Sequence, residues 1–216
     1  LDHGREYYLA QLELMDAAVG RLLDHLDRTG QADDTIVVYL TDNGGSPCNY
    51  GDNTPLRGSK YTLWEGGIRV PFLARWTAGG WSGGRTVDAP VSSLDLLPTL
   101  LTAAGAGPDV TTASDGIDLG PALAGGAADR GRVLHWDCGF QWAVRAGDLK
   151  LRWCDGRSAK ADGIRRVEHA EPGHGVALYD LRADPGEQDD LAATRPDEVA
   201  RLTELHRAWQ AEVAAG

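Results

Sequence analysis

The protein has 216 residues, enough for one large domain or for one and a half domains of ordinary size. Its 42% apolar and 25% charged residues are typical of a soluble globular protein, and no run approaches the roughly 18 uninterrupted apolar residues of a membrane-spanning helix. The formal charge of −11 opposes the electrostatic attraction that drives non-specific nucleic-acid binding, so we expect no nucleic-acid partner.

The amino-terminal segment is predicted to form a helix followed by a strand. Apolar residues recur at intervals of three and four from Tyr8 to Leu26, and Gly30 stands where a left-handed helix cap is expected. Residues 35–41 are a run rich in β-branched residues without alternation, which is typical of a strand buried on both faces, as in a parallel sheet. A helix followed by such a strand indicates an α/β domain.

A long loop and a second strand are predicted next. Residues 42–59, about 18 in number, are rich in Gly, Asn, Pro and Ser, and loops this long in compact domains are usually functional or disordered. A short helical turn is predicted at residues 61–64 and a strand at 68–76, whose Pro71 indicates a sheet edge or a strand end. A further helix is predicted from residue 94 to about 105.

The last third of the chain has the pattern of a small antiparallel sheet followed by a helix. Four short strands are predicted, at residues 133–136, 142–145, 149–153 and 176–181. Asp184-Pro185-Gly186-Glu187 has the composition of a turn, and the final helix begins near Pro196 with an apolar face from Val199 to Val213.

The predicted fold class is therefore α/β. We expect a partial mixed or parallel sheet with flanking helices over residues 1–130, followed by a small α+β subdomain over residues 131–216 with an antiparallel sheet and a carboxyl-terminal helix. The three cysteines, Cys48, Cys138 and Cys154, fit neither a zinc pattern nor a disulfide framework. A bridge from Cys138 to Cys154 is compatible with the sequence, but nothing requires it.

Asp42-Asn43-Gly44-Gly45 is a candidate metal site because it directly follows the first predicted strand. Ligands of open α/β sheets bind beyond the carboxyl ends of strands, and Asp and Asn offer oxygen atoms that suit Ca²⁺ or Mg²⁺. The alternative is a hairpin, since Asn-Gly is a strong turn signal, but Ser46-Pro47-Cys48-Asn49 is not the alternating strand that a hairpin requires. Taken alone, the motif leaves both interpretations open.

Lys60 is a candidate anion-binding residue. It follows Leu56-Arg57-Gly58-Ser59, whose small residues would let a compact positive charge approach an oxyanion closely. The alternative is a solvated lysine beside glycines that only shape turns, and by itself the motif favours that alternative.

Several motifs follow one another in a fixed order along the chain. They are Thr-Asp-Asn-Gly-Gly at 41–45, Leu-Arg-Gly-Ser-Lys at 56–60, Glu-Gly-Gly-Ile-Arg-Val-Pro at 65–71, and the segments at 91–100, 115–119, 178–181 and 184–187. This order resembles the carboxyl-terminal portion of the sulfatase family, the formylglycine-dependent branch of the alkaline-phosphatase-like superfamily. The resemblance spans nearly the whole chain, and it is specific for the family without being specific for one substrate.

The resemblance implies a calcium-dependent sulfuric ester hydrolase that acts on a sulfate-ester small molecule or a sulfated carbohydrate. Asp42 and Asn43 would be two of the ligands of a metal ion, for which the resemblance implies Ca²⁺ in preference to Mg²⁺. Lys60 would contact the sulfate group of the substrate and assist departure of the leaving oxygen. Ser59 stands where many relatives have Gly. His135 is a further candidate for substrate binding from the second subdomain, the alternative being a structural histidine.

The nucleophile that the resemblance implies is not within these residues. The family makes formylglycine from Cys or Ser in a Cys/Ser-x-Pro-Ser-Arg motif, and no cysteine or serine here begins such a motif. The adjacent pairs Asp33-Asp34 and Asp189-Asp190 lack the context of the aspartates that complete the family's calcium site. We therefore expect these groups upstream of Leu1, and we expect residues 1–216 alone to be inactive.

Two rival functions remain open at this point. One is a phosphonate or phosphoester hydrolase of the same superfamily, and the other is a non-catalytic binding module or pseudo-enzyme. The resemblance would also place the protein in the periplasm or outside the cell, although the sequence itself does not decide its localisation or its oligomeric state.

Overall fold

The computed structural model describes residues 4–107, 114–156 and 174–215. It contains the helices α1 (Arg5–Arg28), α2 (Glu65–Ile68), α3 (Leu96–Ala103), α4 (Gly120–Leu123) and α5 (Pro196–Ala215), and the strands β1 (Val37–Leu40), β2 (Phe72–Arg75), β3 (Val133–Asp137), β4 (Gln141–Ala146), β5 (Leu149–Cys154) and β6 (Gly175–Asp180). Within the described ranges, none of these helices combines the length and the apolar character that a membrane span needs.

The chain divides into two compact units. The sheet unit comprises residues 1–9, 41–70 and 131–216, and the helix unit comprises residues 10–40 and 71–130. Residues 41–70, which carry the candidate metal site and Lys60, therefore group with the carboxyl-terminal part of the chain. The division into a catalytic part and a subdomain at residue 130 stays a prediction.

In the helix unit, both predicted strands form, but they pair differently from the prediction. β1 and β2 are antiparallel, with Val37 opposite Arg75 and Leu40 opposite Phe72, and all four residues of β1 are half-buried. The expectation of a parallel strand buried on both faces is thus wrong for this pair, because a β-branched run indicates burial without fixing strand direction. Gly30 follows α1 with φ +69°, as the predicted left-handed cap requires.

Asp95 joins two of the sequence motifs of the helix unit. Its side chain is fully buried, where one oxygen accepts a hydrogen bond from the backbone of Ser92 (2.7 Å) and the other from the backbone of Ile117 (2.9 Å). Ser92 in turn accepts a bond from the backbone of Leu94, which completes a capping box at the start of the helical segment leading into α3. A β-carbon at Gly116 would lie 2.1 Å from the carbonyl oxygen of Leu94, so this close approach requires glycine.

In the sheet unit, the predicted antiparallel sheet is confirmed. Its strand order is β3-β4-β5-β6, with every neighbouring pair antiparallel. Val144 lies opposite Leu151, which lies opposite Leu178, and these three buried side chains pack with Leu202 of α5. Burying each such side chain contributes roughly 1.5 to 3 kcal/mol, so this face provides the main apolar core of the unit.

The other face of the sheet is covered by a turn from residues 41–70. Side chains alternate along strands, so Lys150 and Arg152 lie on the face opposite to Leu151. On this second face, Ala177, Tyr179 and Leu181 form a buried cluster with Trp64. The sheet therefore has α5 on one side and the Trp64 segment on the other.

Two smaller expectations are corrected, and one question that the sequence left open is answered. The helical turn predicted at 61–64 lies later, at Glu65–Ile68. Val213, predicted on the apolar face of the last helix, is 61% exposed. The bridge that the sequence permitted between Cys138 and Cys154 is not formed, because both thiols are free.

Candidate active site

The segment Asp42 to Ser46 packs its backbone directly against residues 66 and 67. The amide of Gly44 donates to the carbonyl oxygen of Gly67 (3.0 Å), and a β-carbon at Gly44 would lie 1.7 Å from the carbonyl oxygen of Gly66. Only glycine fits at this contact. A single 3₁₀ turn, Pro47–Asn49, follows instead of a second strand, so the hairpin alternative is wrong.

Asp42 and Asn43 present oxygen atoms at the surface of this turn. Asp42 is exposed, and its Oδ1 accepts from the backbone amide of Asn43 (2.9 Å). The Asn43 Nδ2 donates to the carbonyl oxygen of Gly44 (3.0 Å), which leaves its Oδ1 as an acceptor. A carboxylate and an amide oxygen suit a hard cation such as Ca²⁺.

The donor type fits Ca²⁺, but the number of donors does not complete a site. Within the described residues, no group of three or more His, Cys, Asp or Glu side chains could hold a metal ion. Ca²⁺ takes roughly six to eight oxygen ligands, so Asp42 and Asn43 can supply only a part of such a shell.

Lys60 is connected to this turn through the backbone. Its amide donates to the carbonyl oxygen of Gly45 (3.2 Å). The side chain of Asn53 bonds to the amide and the carbonyl of Gly45 (2.7 and 2.9 Å) and to the carbonyl oxygen of Gly58 (3.1 Å). The candidate metal ligands and Lys60 therefore belong to one hydrogen-bonded loop structure.

The Lys60 side chain lies beside an aromatic ring. Its Nζ is 5.3 Å from the ring centroid of Tyr61, within the range of a cation–π interaction. Among the described residues, no carboxylate forms an ion pair with this ammonium group. The positive charge of Lys60 is thus available to an anionic ligand.

A side chain from the sheet holds the segment that follows Lys60. Gln141 on β4 is 2% exposed, and its Nε2 donates to the carbonyl oxygen of Tyr61 (2.8 Å). Its Oε1 accepts from the backbone amide of Leu63 (3.3 Å). Thr62, between them, bonds through its hydroxyl to the backbone amide and carbonyl of Ser59 (3.1 and 2.7 Å).

A buried charge network anchors the next residues. The Lys150 Nζ lies 2.8 Å from Glu65 Oε1 and 3.0 Å from Glu187 Oε1, and all three side chains are at most 3% exposed. The second oxygen of Glu187 accepts from the backbone amide of Glu65 (2.6 Å), and Arg57 donates to the Glu187 carbonyl oxygen (3.0 Å). Burial raises the pKa of Glu187, and the positive charge of Lys150 opposes that shift.

Trp64 is the apolar part of the same anchor. It is 2% exposed, and the guanidinium carbons of Arg57 and Arg152 lie 3.9 and 3.7 Å from its ring centroids. Tyr179 packs against it with ring centroids 5.6 Å apart. Burial lowers the pKa of Arg152, whose charge is partly stabilised by nearby Glu187. The loop that carries Lys60 is therefore fixed to the sheet by stacking, ion pairing and hydrogen bonds together.

An open pocket of about 580 Å³ borders this loop. Its lining includes Arg5, Tyr50, Asp52 and Thr54, and it reaches Ser59, the residue before Lys60. Asp52 accepts hydrogen bonds from the hydroxyl and from the backbone amide of Thr54, and these bonds lower the pKa of Asp52. An aromatic ring beside charged and hydroxyl groups can accommodate the organic part of a polar ligand.

His135, the remaining sequence-predicted site residue, lies elsewhere. It stacks on Trp209 of α5 with centroids 4.9 Å apart, and its Nδ1 is 3.3 Å from the Nδ1 of buried His206. Side-chain alternation places His135 on the α5 face of the sheet, opposite to the face whose Gln141 contacts the Lys60 loop. Its role in substrate binding stays a prediction that this placement does not support.

His135 and His206 make the free energy of unfolding depend on pH. Burial, together with the smaller effect of the nearby His206, lowers the pKa of His135 from 6.5 to about 4. Burial also lowers the pKa of His206, against the attraction of Asp137, whose Oδ2 lies 3.6 Å from its Nε2. The unfolded chain therefore binds more protons than the folded chain between about pH 6.5 and pH 4.

We expect the free energy of unfolding to fall as the pH drops from 6.5 towards 4. Because His135 is only half-buried, solvent reduces its contribution to about 1 to 2 kcal/mol. Urea unfolding at a series of pH values measures this, and His135→Phe should flatten the dependence while His25→Phe, on the exposed face of α1, should not. An unchanged slope in His135→Phe would contradict the assignment.

The sequence did not single out four residues that build this site. Glu65 and Glu187 occur within the quoted motifs without a predicted role. Lys150 lies in the strand predicted at 149–153, whereas Gln141 lies just before the strand predicted at 142–145 and belongs to β4 in the structure. Period-two alternation in β4 and β5 was the available signal, because it places Gln141 and Lys150 on the same face of the sheet.

Known protein sequences resemble this chain over most of its length. A family model described as Sulfatase matches residues 2–106. The chain is 34% identical to the steryl-sulfatase of Mus musculus over 208 residues, 85% of this chain and 33% of that protein. It is 34% identical to arylsulfatase A of Homo sapiens over 225 residues, 94% of this chain and 43% of that protein. The chain thus spans a third to about two fifths of the length of these relatives.

Solved structures show the same fold. The crystal structure of Ps i-CgsB in complex with k-i-k-neocarrahexaose matches with a TM-score of 0.75 and 25% identity, over 90% of this chain and 40% of that chain. A phosphonate monoester hydrolase of Agrobacterium radiobacter matches with a TM-score of 0.58 and 23% identity, over 92% of this chain and 39% of that chain, which shows the fold alone. The predicted α/β fold class is confirmed by these neighbours.

Proposed function

The chain belongs to the sulfatase family, and from this premise we propose that Asp42, Asn43 and Lys60 form part of the active site of a calcium-dependent sulfuric ester hydrolase. The proposal concerns the intact protein, meaning this chain together with whatever sequence accompanies it. The observation that carries the proposal is the hydrogen bond from the Lys60 backbone amide to the carbonyl oxygen of Gly45. It connects Lys60, whose ammonium group has no carboxylate partner in the described ranges, to the turn in which Asp42 and Asn43 present oxygen atoms.

In this site, Lys60 would bind the sulfate group of the substrate. Its ammonium group carries a full positive charge and can donate to the oxygen atom that links sulfur to the leaving alcohol. Negative charge develops on that oxygen as the bond to sulfur breaks, so a fixed cation stabilises the transition state more than the ground state. The anchors at Gln141 and Glu65 would hold the loop still, which removes the cost of orienting the charge during the reaction.

Asp42 and Asn43 would hold the calcium ion. When bound, Ca²⁺ supplies a divalent positive charge that polarises the sulfate oxygens. The exposed carboxylate of Asp42 and the free amide oxygen of Asn43 supply two oxygen donors from adjacent residues. Other ligands and the formylglycine nucleophile would come from outside these 216 residues, since no Cys/Ser-x-Pro-Ser-Arg motif occurs in them.

The substrate would be a sulfated small molecule or a sulfated carbohydrate. The pocket of about 580 Å³ that ends at Ser59 is the place where the organic part of either substrate would lie. Its lining combines Tyr50 with Asp52, Thr54 and Arg5, so it offers both a ring for stacking and polar groups for hydroxyl recognition.

The proposed function is tested with the intact protein and an activated aryl sulfate. We expect hydrolysis that is lost on removal of calcium by a chelator and restored by added Ca²⁺ but not by equimolar Mg²⁺. An aryl phosphate and a phosphonate monoester, assayed in parallel, test the related hydrolase activities. A higher kcat/KM for the phosphonate would replace the proposal by the phosphonate hydrolase, and the absence of any turnover would favour a non-catalytic module.

We also expect residues 1–216, expressed alone, to hydrolyse no sulfate ester. They contain no motif from which formylglycine can form, and they contribute two of the roughly six to eight oxygen ligands that Ca²⁺ takes. The purified 216-residue protein is assayed with the same aryl sulfate and excess calcium. Turnover above the buffer blank, reduced in a Lys60→Ala variant, would refute this division of the active site.

A further inference from the structure

The residue after Lys60 has an unusual backbone conformation. Tyr61 has φ +75°, in the left-handed region that residues with a side chain rarely adopt. Such a conformation persists only where surrounding contacts enforce it, and it often occurs at functional sites. At this position it places the Tyr61 ring beside the Lys60 ammonium, 5.3 Å from the ring centroid.

Local and distant contacts together hold this conformation. The amide of Thr62 donates to the carbonyl oxygen of Ser59 (3.0 Å) and so closes a turn around Lys60 and Tyr61, and one distant side chain, Gln141, also bonds to this segment. Gln141 bonds to the carbonyl oxygen of Tyr61 through Nε2 (2.8 Å) and to the amide of Leu63 through Oε1 (3.3 Å). The nitrogen and the oxygen of its side-chain amide therefore both bond to the segment that immediately follows Lys60. Gln141 is separated from Tyr61 by 80 residues in the sequence and is 2% exposed.

We propose that Gln141 is a positioning residue for Lys60. By bonding to the backbone of Tyr61 and Leu63, it supports the turn around Tyr61 and keeps the Lys60 ammonium at a fixed place relative to the turn of Asp42 and Asn43. This inference rests on the proposed function, because it assigns Gln141 to the same site. It is distinct from a packing role, since packing of the sheet does not require the amide to bond to the loop.

Glutamine is suited to this task by its chemistry. Its side-chain amide carries a donor and an acceptor at one end, so it can satisfy a carbonyl and an amide of the same turn at once. Methionine has a similar length and volume but neither group, so Gln141→Met removes both bonds while it preserves packing. Asparagine keeps the amide but is one methylene shorter, so Gln141→Asn tests reach.

The kinetic test separates positioning from folding. We expect Gln141→Met to lower kcat by about 10- to 100-fold and to change KM by less than about 3-fold, because a displaced cation loses transition-state stabilisation rather than uniform binding. The matched control is Val144→Ala on the same strand, which removes core volume on the α5 face without touching the loop. If kcat falls in both variants in proportion to their loss of stability, the proposal is overturned.

A double variant tests whether Gln141 acts through Lys60. Adding Gln141→Met to Lys60→Ala should cost less than about 2-fold more in kcat, because the group to be positioned is already absent. Independent, multiplicative losses would overturn the inference. If Gln141→Met does not fold, Gln141→Asn is measured in the same way.

A readout without turnover distinguishes failure of this inference from failure of the proposed function. Because the Lys60 ammonium lies over the Tyr61 ring, we expect the ring current of Tyr61 to shift the NMR signals of the Lys60 side chain. We expect Gln141→Met to remove that shift and Val144→Ala to retain it. If the intact protein hydrolyses no sulfate ester but Gln141→Met still loses the shift, the proposed function is wrong, while Gln141 does position Lys60. An unchanged shift overturns the positioning itself.

Discussion

Replacing Asp42 by alanine should abolish both calcium binding and turnover in the intact protein. Asp42 supplies the charged oxygen donor of the proposed site, and its exposed carboxylate is engaged only by the neighbouring amide of Asn43 among the hydrogen bonds of this turn. Without Asp42, this chain contributes only the neutral amide oxygen of Asn43 to the proposed site, so calcium should bind much more weakly. We expect kcat to fall by at least about 1,000-fold, which corresponds to about 4 kcal/mol of transition-state stabilisation.

The measurement pairs metal content with rate. Calcium per protein chain is determined by elemental analysis after dialysis, and kcat/KM is determined with the aryl sulfate. Asp34→Ala is the matched control, because it removes an exposed aspartate from a pair that lacks the sequence context of a metal site. Calcium content and rate equal to those of the unaltered protein would eliminate Asp42 as a ligand.

Replacing Lys60 by alanine should reduce turnover by about 100- to 1,000-fold while leaving the fold intact. The expected loss is that of one fixed electrostatic contact in a transition state, about 3 to 4 kcal/mol. The free energy of unfolding should change little. The substitution removes the contact of the Lys60 ammonium with the Tyr61 ring, but the hydrogen bond from the Lys60 backbone amide to Gly45 remains. We expect the melting temperature to stay within a few degrees.

Two variants sharpen this result. Lys60→Arg keeps the charge but changes its shape and reach, so it should recover only part of the lost kcat. Arg69→Ala removes an exposed positive charge from the same unit, where it lies 4.0 Å from Glu65, and should leave kcat within about 2-fold. A protein that loses stability in Lys60→Ala but keeps its specific activity would show that Lys60 serves the fold.

Local sequence patterns predict the secondary structure well because helix and strand periodicities are local properties. The strand predicted at 149–153 is Leu149–Cys154, and the helix predicted from Pro196 is Pro196–Ala215. The helical turn predicted at 61–64 was displaced to Glu65–Ile68 because its glycines allow contacts that propensity does not anticipate. A β-carbon at Gly67 would lie 2.1 Å from the carbonyl oxygen of Thr62, so close packing rather than helix propensity fixes this turn.

The polar face of the antiparallel sheet was the main feature that the sequence concealed. Gln141, Lys150 and Arg152 alternate with apolar residues, which is the usual pattern of a sheet with one solvated face. In the structure this face is buried beneath Trp64 and its turn. The sequence could not predict the partners of Lys150, because Glu65 lies 85 residues away along the chain.

The candidate site was found from motifs, and the structure explains how it is held together. Asp42, Asn43 and Lys60 were selected by their order along the chain, and their metal and substrate roles stay predictions. The hydrogen bonds of Gly45 and Asn53 then bring the two motifs into one loop structure. His135 was proposed from its sequence neighbours alone, and strand alternation, which places it on the α5 face, was the stronger guide.

The long sequence separation of the anchors has a consequence for biosynthesis. A ribosome adds roughly 5 to 20 residues per second, so roughly 4 to 17 seconds pass between synthesis of Glu65 and of Lys150, which are 85 residues apart. Glu187, 122 residues beyond Glu65, emerges later still. During that interval the loop of Lys60 has none of these partners, and its apolar Trp64 is without the Tyr179 ring that later packs against it. Chaperones that bind nascent chains would therefore meet this segment before its partners are made. Slower translation between Glu65 and Lys150 would prolong its exposure.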